Sequence, residues 1–380
     1  MVKMFVSGDI VNYEHNDGLI CSEGLSNVIS AADYSVCNFE APIEKYGSPI
    51  PKSGPHHFQR KGTIDGIKQQ GFNMMCLANN HIMDYGSAAL KATIDEARSL
   101  KLDTIGAGLT FDEAYKPVIK TVNDLKVGFI NASEAQFGVK DYYSDDDQPG
   151  YAWINHKEID RQITILNQEC DFVIVLSHAG LENYSIPQKE WRNRYKHFCD
   201  LGADVIVGSH PHVPQGYEHY NDSLIFYSLG NFYFDSKNYH SKEDRSYSVM
   251  LKFDKNEKVS FEPVFHHKED GHVQLSTIEK QVNLEELNSK LGDGYEKLHE
   301  EMSLQIYNKT IKKNLIYSLV PFTYDGSLKS SVKRALGFLL KRRKKPDKTL
   351  LSVHLLRNEA YYYATKHAME IIAREKYGRR

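Results

Sequence analysis

The chain has 380 residues, is 41% hydrophobic and 26% charged, and carries a formal net charge of -3. That length buries a substantial core and leaves room for more than one domain, the mix is ordinary for a soluble globular protein, and the small net charge gives no basis for nucleic-acid binding. Five scattered cysteines (Cys21, Cys37, Cys76, Cys170, Cys199) never form a CxxC pair, which predicts small buried thiols in a reducing compartment. The opening MVKMFVSGDIV runs directly into a strand pattern, with no apolar leader region or cleavage site, so no signal peptide is expected. No stretch reaches the ~20 apolar residues of a membrane span. The expectation is a cytoplasmic protein, with peripheral contact at the inner membrane face as a further option.

Short β-branched apolar runs recur along the chain: KMFVSGDIV, YSVCNFEAPI, FNMMCLANNH, LDTIGAG, KVGFINAS, DFVIVLSHAG, ADVIVGSHPH and SLIFYSLGNF. Helix-like periodicity lies between several of them, at 62–71, 87–101, 158–169 and 188–202. Alternation of this kind predicts an α/β architecture with covered sheets. YSVMLKFD and VSFEPVFHH, joined by KNEK, predict a closing antiparallel hairpin. Beyond about residue 270 the pattern becomes helical, at 276–315 and again at 350–376. The expected division is 1–270 for the α/β domain and 271–380 for a mainly helical region. Within the latter, KRALGFLLKRRKK (333–345) sets an apolar stripe beside a dense basic run. Such a helix either lies on an anionic membrane surface or packs on the protein with its cations solvated.

Polar residues end the predicted strands. Asp9 ends KMFVSGD, Glu40 ends YSVCNFE, Asn79, Asn80 and His81 follow FNMMCLA, His178 ends FVIVLSH, and His210 and His212 end DVIVGSHPH. Functional groups of open α/β sheets gather beyond the carboxyl ends of strands. Each residue alone has a plain structural explanation, as a cap, a turn or a bonded histidine. Two carboxylates, two amides and four imidazoles at one edge carry too much charge to desolvate without a cation. This ligand set suits Mn, Fe, Zn or Ni, and a carboxylate shared by two ions is the usual device for attack on phosphorus.

The motifs SGDI, NFEAPI, LANNHIMDYG, IGAG, SHAGLENY, GADVIVGSHPHVPQGYE and LIFYSLGNFYFD occur in this order over roughly residues 3–250. In these the chain resembles the CapA family of capsule and poly-γ-glutamate synthesis proteins, within the calcineurin-like metallophosphoesterase superfamily. The resemblance implies a four-layer α-β-β-α sandwich with an α-helical C-terminal extension, and two divalent metal ions, Mn, Fe or Zn, at strand ends. It assigns Asp9 to the first-motif aspartate and Glu40 to the bridging carboxylate. It makes Asn80, His178, His210 and His212 further ligands, with His81 the histidine of the GNH motif. Three departures stand out: Val11 replaces the usual Asp-x-His histidine, Glu40 is one methylene longer than aspartate, and Asp84 lies three positions after His81.

The implied chemistry is hydrolysis of a phosphoester by metal-activated water. His81 is the candidate to protonate the leaving oxygen, or to hold Asn80 in place, and Asp84 is its support. Arg60, in the loop SPIPKSGPHHFQRKG, either grips an anionic substrate or belongs to a solvated basic loop. Glu182, at a position where the family also has glutamate, Tyr184 and Asn231 are the other substrate-side candidates. The expected partner is an anionic polymer, or a phosphorylated small-molecule or lipid-linked substrate. Two other readings use the same residues: a non-hydrolytic metal-binding accessory of a polymer synthesis or export complex, and a metal-dependent amide hydrolase or transferase acting on polyglutamate.

Overall fold

The computed structural model describes residues 1–235, 244–319, 332 and 347–378. Two compact units are present, one formed by Met1–Ile50 with His56–Leu298 and the other by Pro51–Pro55 with His299–Arg380. The compositional change near residue 270 therefore falls inside the first unit. The helices Leu284–Ser289 and the start of Tyr295–Ile306 follow it there.

The first unit is a four-layer α-β-β-α sandwich. One sheet has eight strands, in the order His272–Leu275, Glu257–Glu269, Arg245–Asp254, Val2–Val11, Tyr34–Phe39, Met74–Cys76 and Asp103–Ile105, with Asn231–Phe234 also paired to Val2–Val11. The second has six, in the order Tyr217–Tyr220, Ser223–Phe226, Val205–Ser209, Phe172–His178, Leu125–Ser133 and Val118–Val122. Period-two alternation divides each strand between two layers. From the first sheet Met4, Val6, Val36 and Met74 face Phe129, Ile174, Leu176 and Val207 of the second. Their neighbours Phe5, Cys37 and Met75 pack with Leu25, Ile29, Ile64, Ile67 and Leu90 of helices Glu23–Ser30, Thr63–Gln69 and Gly86–Ser99. Helices Lys157–Glu169 and Lys189–Asp200 cover the second sheet, burying Ile163, Leu166, Trp191 and Phe198. Tyr195 of the latter is hydrogen-bonded to Ser177 Oγ at 2.6 Å.

The strands bearing the polar ends are parallel to one another within each sheet, so their carboxyl ends lie at a common edge. The predicted hairpin forms from Arg245–Asp254 and Glu257–Glu269, and a third strand, His272–Leu275, extends it. The segment read as one helix over 350–376 is two, Lys348–Arg357 and Glu359–Tyr377. Asn358 breaks it, because its side chain accepts from Tyr361 N at 2.8 Å and so satisfies the backbone better as an N-cap than inside a helix. Ala360, Ala364, Ala368 and Ile371 form the buried stripe of the last helix. No helix among the described residues is long and apolar enough to cross a membrane. The basic segment 333–345 lies outside the described residues.

Candidate metal centre

Asp9, Glu40, Asn80, His178, His210 and His212, drawn from five strands or the turns that follow them, lie together and are each buried; the first strand runs on to Val11, so Asp9 lies within it rather than ending it. Asp9 is fully buried on the central strand, between Asn38 and Asn231, its partners in the flanking parallel strands. Its Oδ1 accepts from Asn38 Nδ2 at 2.7 Å and its Oδ2 from the backbone N–H of His210 at 3.1 Å. Gly8 makes this approach possible, because a Cβ there would lie 1.9 Å from Gly230 O. His210 and His212 both have left-handed backbones, with φ of 95° and 60°. Such strain persists where the surroundings over-determine it, typically at functional sites.

Two ligand groups share Glu40: Asp9, Glu40 and His212 form one, and Glu40, His178 and His210 the other, with potential ligand atoms within 4.8 Å of one another in each. Glu40 Oε1 lies 3.5 Å from His178 Nε2 and 4.0 Å from His212 Nε2. His212 Nδ1 lies 3.5 Å from Asp9 Oδ2 and 3.0 Å from Asn231 Oδ1. Ser209 Oγ donates to Ser177 O and sits 3.1 Å from His178 Nδ1. That leaves His178 Nε2 facing Asn80 Oδ1 at 3.0 Å. Glu182 forms a third group with His210 and His212, at the less buried side.

Both carboxylate oxygens of Glu40 and Nδ1 of His210 are buried without a hydrogen bond. An ionised carboxylate in that state is strongly disfavoured; burial and then the nearby Asp9 push the Glu40 carboxyl well above its usual range. Burial likewise pushes His178 down to about 4 and His210 to about 3. Neutral imidazoles and an unsatisfied carboxylate around one point form a donor set that a divalent cation completes. Desolvation opposes charge on both Asp9 and His212, but their mutual attraction wins: Asp9 is lowered and His212 raised, the latter helped most by Glu40. The residues are thus compatible with metal binding.

Beside this cluster, His81 Nδ1 lies 2.7 Å from Asp84 Oδ2, and Asp84 is fully buried. The same oxygen accepts from the backbone N–H of His57 at 2.7 Å. The His57 ring meets that of His81 edge-on, 4.3 Å between centroids, and its Nδ1 is paired with the Tyr13 hydroxyl. Asn79 fixes the turn, donating to Phe39 O at 2.9 Å and accepting from His81 N at 3.2 Å. Phe234 packs edge-on against both His57 and His212, joining the two halves of the site.

The substrate-side candidates divide. Glu182 stands at the cluster. Asn231 is hydrogen-bonded to His212 and lies 3.4 Å from Asp244 Oδ1, so its side chain holds the His212 ring. Arg60 is engaged by protein acceptors, Tyr13 O at 2.6 Å and Glu44 Oε2 at 3.1 Å. Tyr184 is half-buried, and its carbonyl accepts from Gln215. Sequence reasoning passed over Asn38, Tyr13, Glu134 and Gln136, and placed His57 only in a loop bordering the site. Glu134 directly follows the strand Leu125–Ser133, so the rule that found His178 would have found it. Asn38 sits inside an apolar run, and only the pairing of its strand with that of Asp9 brings it to the centre.

Residues 7–236 match the family of bacterial capsule synthesis proteins PGA_cap. The capsule biosynthesis protein CapA of Bacillus anthracis is 32% identical over 248 residues, covering 62% of this chain and 60% of that protein. The PGA biosynthesis protein CapA of Bacillus subtilis (strain 168) is 30% identical over 266 residues, 68% of this chain and 69% of that protein. Among solved structures, a hypothetical protein from Thermus thermophilus aligns with a TM-score of 0.46 at 15% identity, covering 70% of this chain and all of that one. The chain belongs to the PGA_cap family of bacterial capsule synthesis proteins.

Proposed function

We propose that the protein is a metal-dependent phosphoesterase acting in the production of capsule or another cell-surface polymer, poly-γ-glutamate among them. The observation that carries this reading is Glu40, a buried carboxylate with two unsatisfied oxygens shared between two ligand groups. Asp9, Glu40 and His212 would hold one divalent ion, and Glu40, Asn80, His178 and His210 the other, with Mn, Fe or Zn the fitting metals. Ions bound there supply Lewis acidity at the phosphoryl oxygens and lower the pKa of water.

The chain's own residues do the rest. Asp84 accepts from His81 Nδ1 and so aims Nε2 at the substrate side, where it delivers a proton to the leaving oxygen. Asn79 holds the turn that sets the direction of that ring. Asn38 and the His210 N–H hold Asp9 from two sides, and Asn231 orients His212. The substrate class is a phosphorylated or lipid-linked intermediate of an anionic polymer.

Val11, buried and apolar where the superfamily has a histidine, favours a second reading, a metal-binding accessory without turnover. One experiment separates these two and the amide-hydrolase alternative. The purified protein is analysed for Mn, Fe and Zn and assayed with an aryl phosphate and a γ-glutamyl peptide. Phosphate release that His81→Ala abolishes while metal content persists supports the phosphoesterase. Metal with no turnover of either substrate supports the accessory, and peptide cleavage alone supports an amide hydrolase.

A further inference from the structure

Glu134 has no part in either ligand group, yet it is fully buried and ionisable at the floor of the site. Its Oε2 accepts from Gly180 N at 3.0 Å, its backbone N–H donates to His178 O at 3.1 Å, and its Oε1 accepts from Gln136 Nε2 at 2.9 Å. The preceding Ser133 adds a hydroxyl bond to the same His178 carbonyl at 2.8 Å. Gln136 continues the chain of contacts to Asn80, whose Nδ2 lies 3.5 Å from its Oε1. One short segment therefore ties together the turns carrying Asn80, His178 and His210.

The contact with His210 sets its chemistry. Glu134 Oε1 lies 3.6 Å from His210 Nε2, and Gln136 Nε2 lies 3.4 Å from the same atom. The two neighbours pull in opposite directions: the Gln136 amide is a donor and favours a lone pair on Nε2, whereas the carboxylate repels a lone pair and attracts an N–H. The amide is neutral and already donates to Glu134 Oε1 at 2.9 Å, so the full charge of Glu134 decides. At the other end of the ring, Nδ1 is buried and has no hydrogen bond. A proton on Nδ1 would be an unsatisfied buried donor, which proteins avoid. The charge at one end of the imidazole and the missing acceptor at the other point to one tautomer, with the proton on Nε2 and the lone pair on Nδ1.

We propose that Glu134 is the positioning residue of this centre, holding His210 in the Nε2–H tautomer so that Nδ1 is the atom presented to the cation beside Glu40 and His178. Partner carboxylates of this kind orient ligating histidines and make them better donors. The proposal rests on the metal reading above, but the tautomer it assigns exists without metal.

Two measurements test it on the full chain. In EDTA-treated protein labelled with ¹⁵N-histidine, long-range nitrogen–proton correlation reports which nitrogen of His210 carries the proton, the resonance being identified by its loss in His210→Ala. Nε2–H in the wild type, with protonation moving towards Nδ1 in Glu134→Gln, supports the assignment; Nδ1–H in the wild type overturns it. Equilibrium dialysis with Mn²⁺ is the second arm. Glu134→Gln keeps an acceptor for Gly180 N, so a fold loss is not expected, and thermal melting in EDTA checks this. Weakening of one of two Mn²⁺ sites by about 10–100-fold, with recovery in Glu134→Asp, supports the role. Two unchanged Mn²⁺ sites in Glu134→Gln overturn it. If the wild type takes up no Mn²⁺, Fe²⁺ or Zn²⁺, the metal reading fails, and the wild-type tautomer alone still decides this inference.

Discussion

Glu40→Gln separates a site built for cations from a merely polar core. Without metal, both Glu40 oxygens are buried and lack hydrogen bonds, a state that costs about 1–3 kcal/mol per unsatisfied group, and more when charged. The amide is isosteric and uncharged, and its N–H can donate to carboxylates such as Asp9 and Glu182, which disfavour the ionised form of Glu40. In EDTA at pH 7 the variant is therefore expected to be more stable than the wild type by about 2 kcal/mol. For a unit of this size that raises the melting temperature by about 3–6 °C.

The sign of the pH dependence follows from the raised carboxyl of Glu40. The folded chain keeps a proton that the unfolded chain has released, so the stabilisation is complete below the ordinary carboxyl value of 4.5 and is lost as pH rises above it. The advantage of Glu40→Gln in EDTA should accordingly grow from pH 5 to pH 8. Added Mn²⁺ reverses the order: an ion at 100 times its dissociation constant adds about 2.7 kcal/mol to the wild type, and the variant lacks the shared ligand. Scanning calorimetry with EDTA and with Mn²⁺, at both pH values, checks all three statements. A variant less stable than the wild type in EDTA, with no reversal by metal, would refute the reasoning, since Glu40 would then be satisfied by protein groups.

Three further outcomes are expected. His81→Ala should lower metal-dependent aryl phosphate turnover by about 10²–10⁴-fold with the bound metal, measured by elemental analysis, unchanged. In EDTA, the depressed His178 and His210 contribute stability that is present above the ordinary imidazole value of 6.5 and lost as pH falls from there through about 4 and about 3; urea melts of Glu40→Gln, which lacks the opposing Glu40 titration, at pH 7, 5.5 and 4 measure this, and a flat profile in that variant would contradict it. Gly8→Ala should destabilise the first unit by about 3 kcal/mol, because its Cβ would lie 1.9 Å from Gly230 O. The same change should weaken Mn²⁺ binding through the displaced Asp9, which dialysis reports.

Much of the site was legible because its residues follow one local rule, a polar side chain at the end of an apolar strand. Glu40, His178 and His210 stand at or directly after their strand ends, while Asp9 lies two residues inside a strand that runs on to Val11 and Asn80 four residues beyond Cys76; strand periodicity is a local property of sequence. The helices at 62–71, 87–101, 158–169 and 188–202 were readable for the same reason. The break at Asn358 was not, since helical periodicity runs through it on both sides and a capping side chain competes only weakly in sequence terms.

Sequence alone determined which elements form, which residues end them, and which family the chain resembles, because hydrophobic period and motif order act over short distances. Tertiary structure alone decided who meets whom. Asn38 and Asn231 flank Asp9 through strand register, Asp84 joins His57 to His81 across a loop, and Arg60 turns to Glu44 rather than to the cluster. Those outcomes depend on pairing register and on which buried polar atoms find partners. They are settled only when the two sheets close on a common core and water is excluded from between them.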